Sequence, residues 1–450
     1  MKHYFAYAWV MVMATVFSSC MEKVPYEQDQ FVKVLGLEGS SLAEKVIELD
    51  NGDLMILGRM GRAAHEIESS GVGTDINEVE DQAPFIAITD HNGNLKRLQL
   101  YPIEDFAGKF IDVFNLENKI TFRHILPLND GGYLVLARMS GFDFTTQFPG
   151  QPSATDYSVS GDSNIAPIMI RLDADLHLVS FHSLNADVSW DARYFRLVAK
   201  MRLLPNGNIG LLLGRKVDFS VEPSQPIGYS FLELSHDLDT VRFAEDFDHR
   251  PNKWAYDFDI DTNDDLVILG TQDFSFRLFK LPLGDLSGEN EQSRFIRDDG
   301  VFESENTDEQ YVRVLNDGNY FLVMTDPPRQ VIAEVRNSSL DLVSGPVEIG
   351  MGDAFNDNDL IRAPRAVYKM SNGDLLIYII NIPSQDKPVE GYLHRVRPDG
   401  TEVFQLQIDG TPGDVIETSD GNLVVVANVI YNGLLQRVHI LKLNANGELY

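Results

Sequence analysis

The chain has one cysteine in 450 residues, so no disulfide can form within it, and its stability must come from packing. Basic residues are scarce: 37 Lys and Arg stand against 68 Asp and Glu, a formal charge of −31. A nucleic-acid partner is excluded on that ground, because phosphate binding needs a basic surface. Strong negative charge fits solubility first, and after that divalent cations or basic partners. Signatures of several enzyme classes are missing too. There is no G-x-S-x-G, no H-E-x-x-H and no phosphate-cradling glycine loop. Neither an S-x-D-x-G-x-x-W box nor a periodic tryptophan occurs. No cofactor is expected, calcium being the one ion considered below. Low-complexity segments and charged tails are likewise absent, and hydrophobic content is an ordinary 44%.

What is present is a repeated phrase. It reads D-N-G-D-L-M-I-L-G over 50–58 and N-D-G-G-Y-L-V-L-A over 129–137. It returns at 205–214, 262–270, 316–324, 371–379 and 419–427. Each copy is a turn signal followed at once by an apolar run. Asn-Gly or Asp-Gly between apolar segments predicts a β-hairpin with a two-residue turn, since Gly and Asn tolerate positive φ. The strand after the turn, as in Leu423-Val424-Val425-Val426, has no polar alternation and is expected to be buried on both faces. A second phrase follows each first one, as in Phe85-Ile86-Ala87-Ile88-Thr89 before Asp90, and most copies end in another turn. Two hairpins make a four-stranded meander, a–b–c–d.

Turn positions 52, 131, 207, 264, 318, 373 and 421 mark seven such units. A four-stranded blade needs roughly 40–50 residues, so the first two units carry insertions. The pattern predicts an all-β, seven-bladed β-propeller of four-stranded antiparallel blades over 31–450. Solenoid repeats are usually shorter, and the apolar runs exclude a helical array. The last unit stops at Tyr450, where its fourth strand should begin. Phe31-Val32-Lys33-Val34-Leu35 has no unit of its own and matches Val403–Gln407, a d strand. The ring is therefore expected to be closed by the N-terminal strand, which removes an exposed edge.

Residues 1–19 read as a signal peptide, with Lys2 as its basic start and an apolar stretch over 4–17 too short to span a bilayer. Phe17-Ser18-Ser19-Cys20 resembles the bacterial lipobox, although Phe17 stands where an aliphatic residue is usual. The resemblance implies lipidation of Cys20, with 20–30 as lipidated cysteine and polar tether and the membrane as a partner through the anchor. A plain signal peptide followed by an incidental cysteine is the other reading.

In such a meander the a–b and c–d turns share one rim, and the b–c loops and d–a crossings share the other. The long b–c segments fall in blades one and two. Arg59–Pro84 is acidic; Ser140–Pro167 holds Phe142, Phe144, Phe148 and Tyr157, candidates for a protein or glycan contact. Two mobile insertions would look the same. Basic and aromatic residues gather around the d–a crossings: Arg123 and His124; Trp190, Arg193, Tyr194 and Arg196; His249, Arg250, Lys253 and Trp254; Arg362 and Arg365. Converging at the mouth of the central channel, these would suit a carboxylate or phosphate, with the aromatics stacking on a sugar or cation. Pairing with local acids such as Asp187 or Asp246 would leave the same pattern.

Two acidic runs suggest calcium. Asp259–Asp265 begins D-x-D-x-N but lacks the glycine and the acidic twelfth residue of a calcium loop, and its place in an a–b turn explains it. Asp353, Asp357 and Asp359 form the better metal candidate, with a solvated loop as the plainer reading.

The repeats resemble the degenerate D-G-x-L-x-V-x-G … D-x-N-G-x-L propeller repeats of lipid-anchored lipoproteins of Gram-negative outer membranes. The resemblance covers 31–450. It implies a non-enzymatic binding or scaffold module for a protein partner or glycan, held at the periplasmic face or the cell surface. The alternative is a glycan-active hydrolase or lyase with carboxylates at the channel mouth.

Overall fold

A computed structural model describes residues 31–35, 39–63, 83–102, 105–106, 119–140, 165–183, 194–217, 229–235, 237, 239–245, 254–272, 275–283, 290–298, 310–326, 330–350, 361–382, 389–431 and 435–449. These form 28 strands in seven four-stranded sheets. After β1 (Phe31–Val34), blade one is β2 (Gly39–Glu48), β3 (Leu54–Ala63), β4 (Ala83–Thr89) and β5 (Leu95–Leu100). Blade two is β6 (Lys119–Pro127), β7 (Tyr133–Ser140), β8 (Ile165–Leu172) and β9 (Leu178–Ser183). Blade three is β10 (Tyr194–Leu203), β11 (Ile209–Val217), β12 (Tyr229–Leu234) and β13 (Thr240–Glu245). Blade four is β14 (Trp254–Ile260), β15 (Asp265–Gln272), β16 (Ser275–Pro282) and β17 (Gln292–Asp298). Blade five is β18 (Tyr311–Val314), β19 (Tyr320–Asp326), β20 (Gln330–Arg336) and β21 (Leu342–Glu348). Blade six is β22 (Ile361–Lys369), β23 (Leu375–Ile382), β24 (Glu390–Val396) and β25 (Glu402–Asp409). Blade seven is β26 (Thr411–Glu417), β27 (Leu423–Tyr431), β28 (Leu435–Leu443) and, as its outer strand, β1. This is a seven-bladed β-propeller, as the repeats predict.

Closure is made by the N-terminal strand, also as expected. β1 pairs antiparallel with β28, Phe31 opposite Lys442 and Val34 opposite His439, and Leu35 N–H donates to the Val438 carbonyl at 2.8 Å. Phe31 and Leu35 anchor the strand in a core shared by blades seven and one, with Val46, Phe85, Val424 and Ile440. The second strand of each blade is the most deeply buried, and Leu423 through Ala427 are wholly inaccessible. Such strands pack on a neighbouring blade through both faces, which is why their sequence shows no alternation.

The a–b turns differ from the two-residue form that the sequence suggests. Leu49 N–H donates to the Asp53 carbonyl and Gly52 N–H to the Leu49 carbonyl, so the loop holds three residues. Its third residue lies at positive φ, +80° in Gly52, as in a type I turn followed by a left-handed residue. In blade four Asp264 takes that place at +60°, which an aspartate tolerates. The Asn or Asp ahead of it caps the loop: Asn51 Oδ1 accepts from Asp53 N–H at 3.0 Å, and Asp130 Oδ1 from Gly132 N–H at 2.9 Å. Four turns also pair an acid with a basic residue of the c strand, namely Asp130–Arg171, Asp265–Lys280, Asp374–Arg395 and Asp420–Lys442. The acids of the repeated phrase are thus spent on turns and on fastening the c strand.

Phe31→Ala tests the closure. Its ring is 7% exposed, and truncating a buried phenylalanine costs about 3–5 kcal/mol. Urea unfolding should show a loss of that size.

Candidate functional site: the axial charge cluster

The innermost strand of each blade has one sheet neighbour, so its other edge presents backbone groups toward the axis and the next blade. These strands carry a shared irregularity. The a–b register shifts between Ala43 and Lys45, Phe122 and His124, Val198 and Lys200, Ala255 and Asp257, Pro364 and Ala366, and Pro412 and Asp414. One extra residue is bulged out at the same place in six blades. A bulge bends the strand, increases its twist and re-aims the side chains that follow. In blade five, Gln310 Oε1 accepts the Thr325 N–H at 2.8 Å at the corresponding level.

The residues just past the bulge are Lys45, His124, Lys200, Asp257, Ala366 and Asp414, with Tyr311 at the matching place in blade five. All seven stand seven residues before the positive-φ turn position of their blade. Two residues on come Arg202, Asp259 and Arg313 in blades three to five.

Asp257 is the hub. It is wholly buried. Arg202 Nη2 lies 3.0 Å and 3.1 Å from its two oxygens, Arg313 Nη1 donates to Oδ2, and Val312 N–H donates to Oδ2 at 3.2 Å. One carboxylate therefore ties blades three, four and five. Asp414 repeats the arrangement across the closure: Val46 N–H donates to Oδ2 at 3.2 Å, and Lys45 Nζ lies 2.8 Å away. Val46 and Val312 occupy equivalent places, so the same device satisfies the same inner-edge amide twice. Between blades five and six the Tyr311 hydroxyl donates to the Arg365 carbonyl, Arg313 Nε to the Val367 carbonyl at 2.9 Å and Lys369 Nζ to the Val314 carbonyl at 2.8 Å.

Burial alone would raise the Asp257 pKa. Attraction to Arg202, Arg313 and Lys200 more than reverses this and holds it at about 2. The magnitudes agree: desolvation costs several kcal/mol, and each contact ion pair returns up to about 4 kcal/mol near a protein surface. Lys200 is in the opposite position. Burial, with Arg313, Arg202 and Lys45 against Asp257 alone, brings its pKa down to about 8. Its Nζ sits over the Tyr311 ring, 4.5 Å from the centroid, reaching from blade three to blade five. His124 is held well below 6.5 by burial and by Lys45, Lys200 and Arg202, and is neutral at pH 7.

Of the residues singled out by sequence, Arg123 lies in β6 with Nη1 3.1 Å from Glu44 Oε2 of blade one. Arg365 is the bulged residue of β22, with an exposed side chain. By backbone position Tyr194 opens β10, Trp254 opens β14 and Arg362 is second in β22. These five, with His124 and Arg196, lie in the inner strands. Trp190, Arg193, Arg250, Lys253, Phe142, Phe144, Phe148, Tyr157, Cys20, Asp353, Asp357 and Asp359 lie outside the described residues. The Asp259–Asp265 run forms the β14–β15 turn, where Asp261 accepts the N–H of Asn263 and of Asp265 and lies 2.9 Å from Lys280 Nζ. No group of three or more His, Cys, Asp or Glu among the described residues could hold a metal ion.

No family model and no curated protein matches the chain. Several solved structures resemble it in part. A protein of unknown function from Bacteroides caccae is 13% identical over 72% of this chain and 90% of its own, with a TM-score of 0.38. The Dos1 propeller is 9% identical over 91% and 95%, at 0.46. An intramolecular trans-sialidase from Ruminococcus gnavus, in complex with oseltamivir carboxylate, is 10% identical over 91% and 95%, at 0.42. The likeness is one of fold.

Asp257→Asn should destabilise the protein by about 3–5 kcal/mol, because it strands two buried guanidinium groups. An unfolded aspartate titrates near 3.9. The Asp257 contribution is therefore complete above about pH 4 and lost as pH falls toward the folded value of about 2. Denaturant midpoints measured from pH 5 to 2 should fall more steeply for wild type than for the variant.

Proposed function

We propose that the protein is a non-enzymatic lipoprotein of the outer membrane, anchored through Cys20, whose propeller serves as a binding or scaffold module. Its partner is a protein or a glycan, met on the rim of the b–c loops and d–a crossings. The anchor rests on the lipobox-like Phe17-Ser18-Ser19-Cys20 after an apolar stretch, and on Cys20 being the only cysteine.

One observation carries the choice of binding over glycan hydrolysis. Two axial carboxylates among the described residues are engaged: Asp257 by two arginines and an amide, Asp414 by a lysine and an amide. A glycosidase needs one carboxyl group kept protonated near neutrality as the general acid. Asp257 is held in the opposite state, ionised to about pH 2. These acids work as fasteners between blades.

Membrane fractionation and affinity capture test the reading. Wild type should sediment with outer membranes and bring its partner along, and Cys20→Ala should move to the soluble fraction with its fold intact. Membrane retention unchanged in that variant would sink the anchoring claim. Incubation with acidic and neutral glycans should release no new reducing ends; release by the wild-type protein would establish the enzyme instead.

A further inference from the structure

The axial cluster is not charge-balanced. With Lys200 stand the cations Arg202, Arg313 and Lys45, and against these four are the three acids Asp257, Asp259 and Asp414. The same excess acts on His124, where Lys45, Lys200 and Arg202 face Asp257. Asp257 is already shared by two arginines, and Asp414 is taken by Lys45. Asp259 is turned to backbone, accepting the Val314 and Ile260 N–H groups at 2.9 Å and 3.0 Å. Among the described residues the Lys200 ammonium has only the Tyr311 ring face, and the buried Arg202 Nε has no hydrogen-bond partner.

These groups are not sealed from solvent. The side chains of Lys45, Arg202 and Arg313 remain 30%, 24% and 11% exposed, and Lys200 and His124 keep partial contact with solvent. A net positive site thus lies on the axis of a chain that is otherwise strongly acidic. An ammonium with little acid opposite it is costly to bury. A bound anion removes that cost, and lysine as a mobile point charge suits an oxyanion.

We propose that the axial cluster is a binding site for a small oxyanion, the carboxylate of an acidic sugar or a phosphate group, with Lys200 as its principal ligand and Arg202, Lys45 and His124 around it. This site is separate from the rim and independent of the lipid anchor. Binding suppresses loss of the Lys200 proton, so the ion is held more weakly as pH rises through 8. The charged and titratable groups of the cluster around Lys200 are Arg202, Arg313, Lys45, Asp257, Asp259, Asp414, His124 and Tyr311. The arginines stay charged, His124 is already neutral, Asp257 is ionised throughout, and burial holds Tyr311 well above its usual range.

Calorimetry on the detergent-solubilised full chain would decide, with inorganic phosphate and glucuronate as separate probes at pH 7 and 9.5. At least one probe should bind at pH 7, weaken at pH 9.5 and lose about tenfold in affinity in Lys200→Met. Phosphate alone points to a phosphate group, glucuronate alone to an acidic glycan, and both to a site that reads only the oxyanion. Lys200→Gln, with its unfolding midpoint measured, serves as the second variant should Lys200→Met fail to fold. Neither probe binding at millimolar concentration, or equal binding by a folded Lys200 variant, would overturn the proposal. Either result leaves the membrane anchor untouched, since that is read by fractionation of Cys20→Ala.

Discussion

The inner edge of each blade is the constraint on which the ring depends. A four-stranded sheet in a propeller buries both faces against its neighbours, and its first strand has a partner on one side only. The other side presents amides and carbonyls in a place that is crowded and poorly hydrated. An unpaired backbone group there costs as much as a lost hydrogen bond or more. Side chains from the next blade supply the missing partners. Asp257 and Asp414 accept the inner amides of Val312 and Val46, while Arg313 and Lys369 donate to the carbonyls of Val367 and Val314. At the seam, Asn428 Oδ1 accepts from Ala43 N–H at 2.7 Å and its amide donates to the Ala43 carbonyl at 3.1 Å. The polar residues that satisfy the inner edges are the same residues that hold the blades in order.

Hydrophobic packing and this polar ring divide the work. The apolar clusters each span neighbouring blades, as Val46, Phe85, Val424 and Ile440 do across the seam. They supply non-directional attraction and leave the rotation of one blade against the next loosely set. Directional bonds such as Asp257 to Arg202, Arg313 and Val312 fix it, because all must be made together. Closure by β1 then joins the two ends of the chain, so that the last inner strand meets the first.

The scaffold is legible in the sequence because it depends on local rules. Asn or Asp before Gly announces each hairpin, and the unbroken apolar run after it announces a strand covered on both faces. Even the closing strand can be read, since Phe31–Leu35 matches a d strand and lacks a unit of its own. The axial cluster is harder. Reading bases near the d–a crossings finds His124 but passes over Lys45, Lys200, Arg202 and Arg313, because the bulge shifts the phase of the strand and with it the inward face. A signal does exist. Counting seven residues back from each turn position picks out Lys45, His124, Lys200, Asp257, Tyr311, Ala366 and Asp414. Five of these carry an acidic or basic side chain, on strands whose neighbours are apolar. What the count does not carry is which acid meets which base, since those pairings arise only once the ring is closed.

The acidity of the chain takes on a different meaning beside that cluster. A charge of −31 spread over the protein sets up a field that favours cations at its surface. Salt screens this field between exposed groups within about 8–10 Å. Inside, the local count decides, and it is positive around Lys200. Burial first, and then Arg313, Arg202 and Lys45, bring the Lys200 pKa down to about 8. Asp257 attracts the lysine but is bonded to two arginines, so among the described residues the Lys200 ammonium meets the face of the Tyr311 ring.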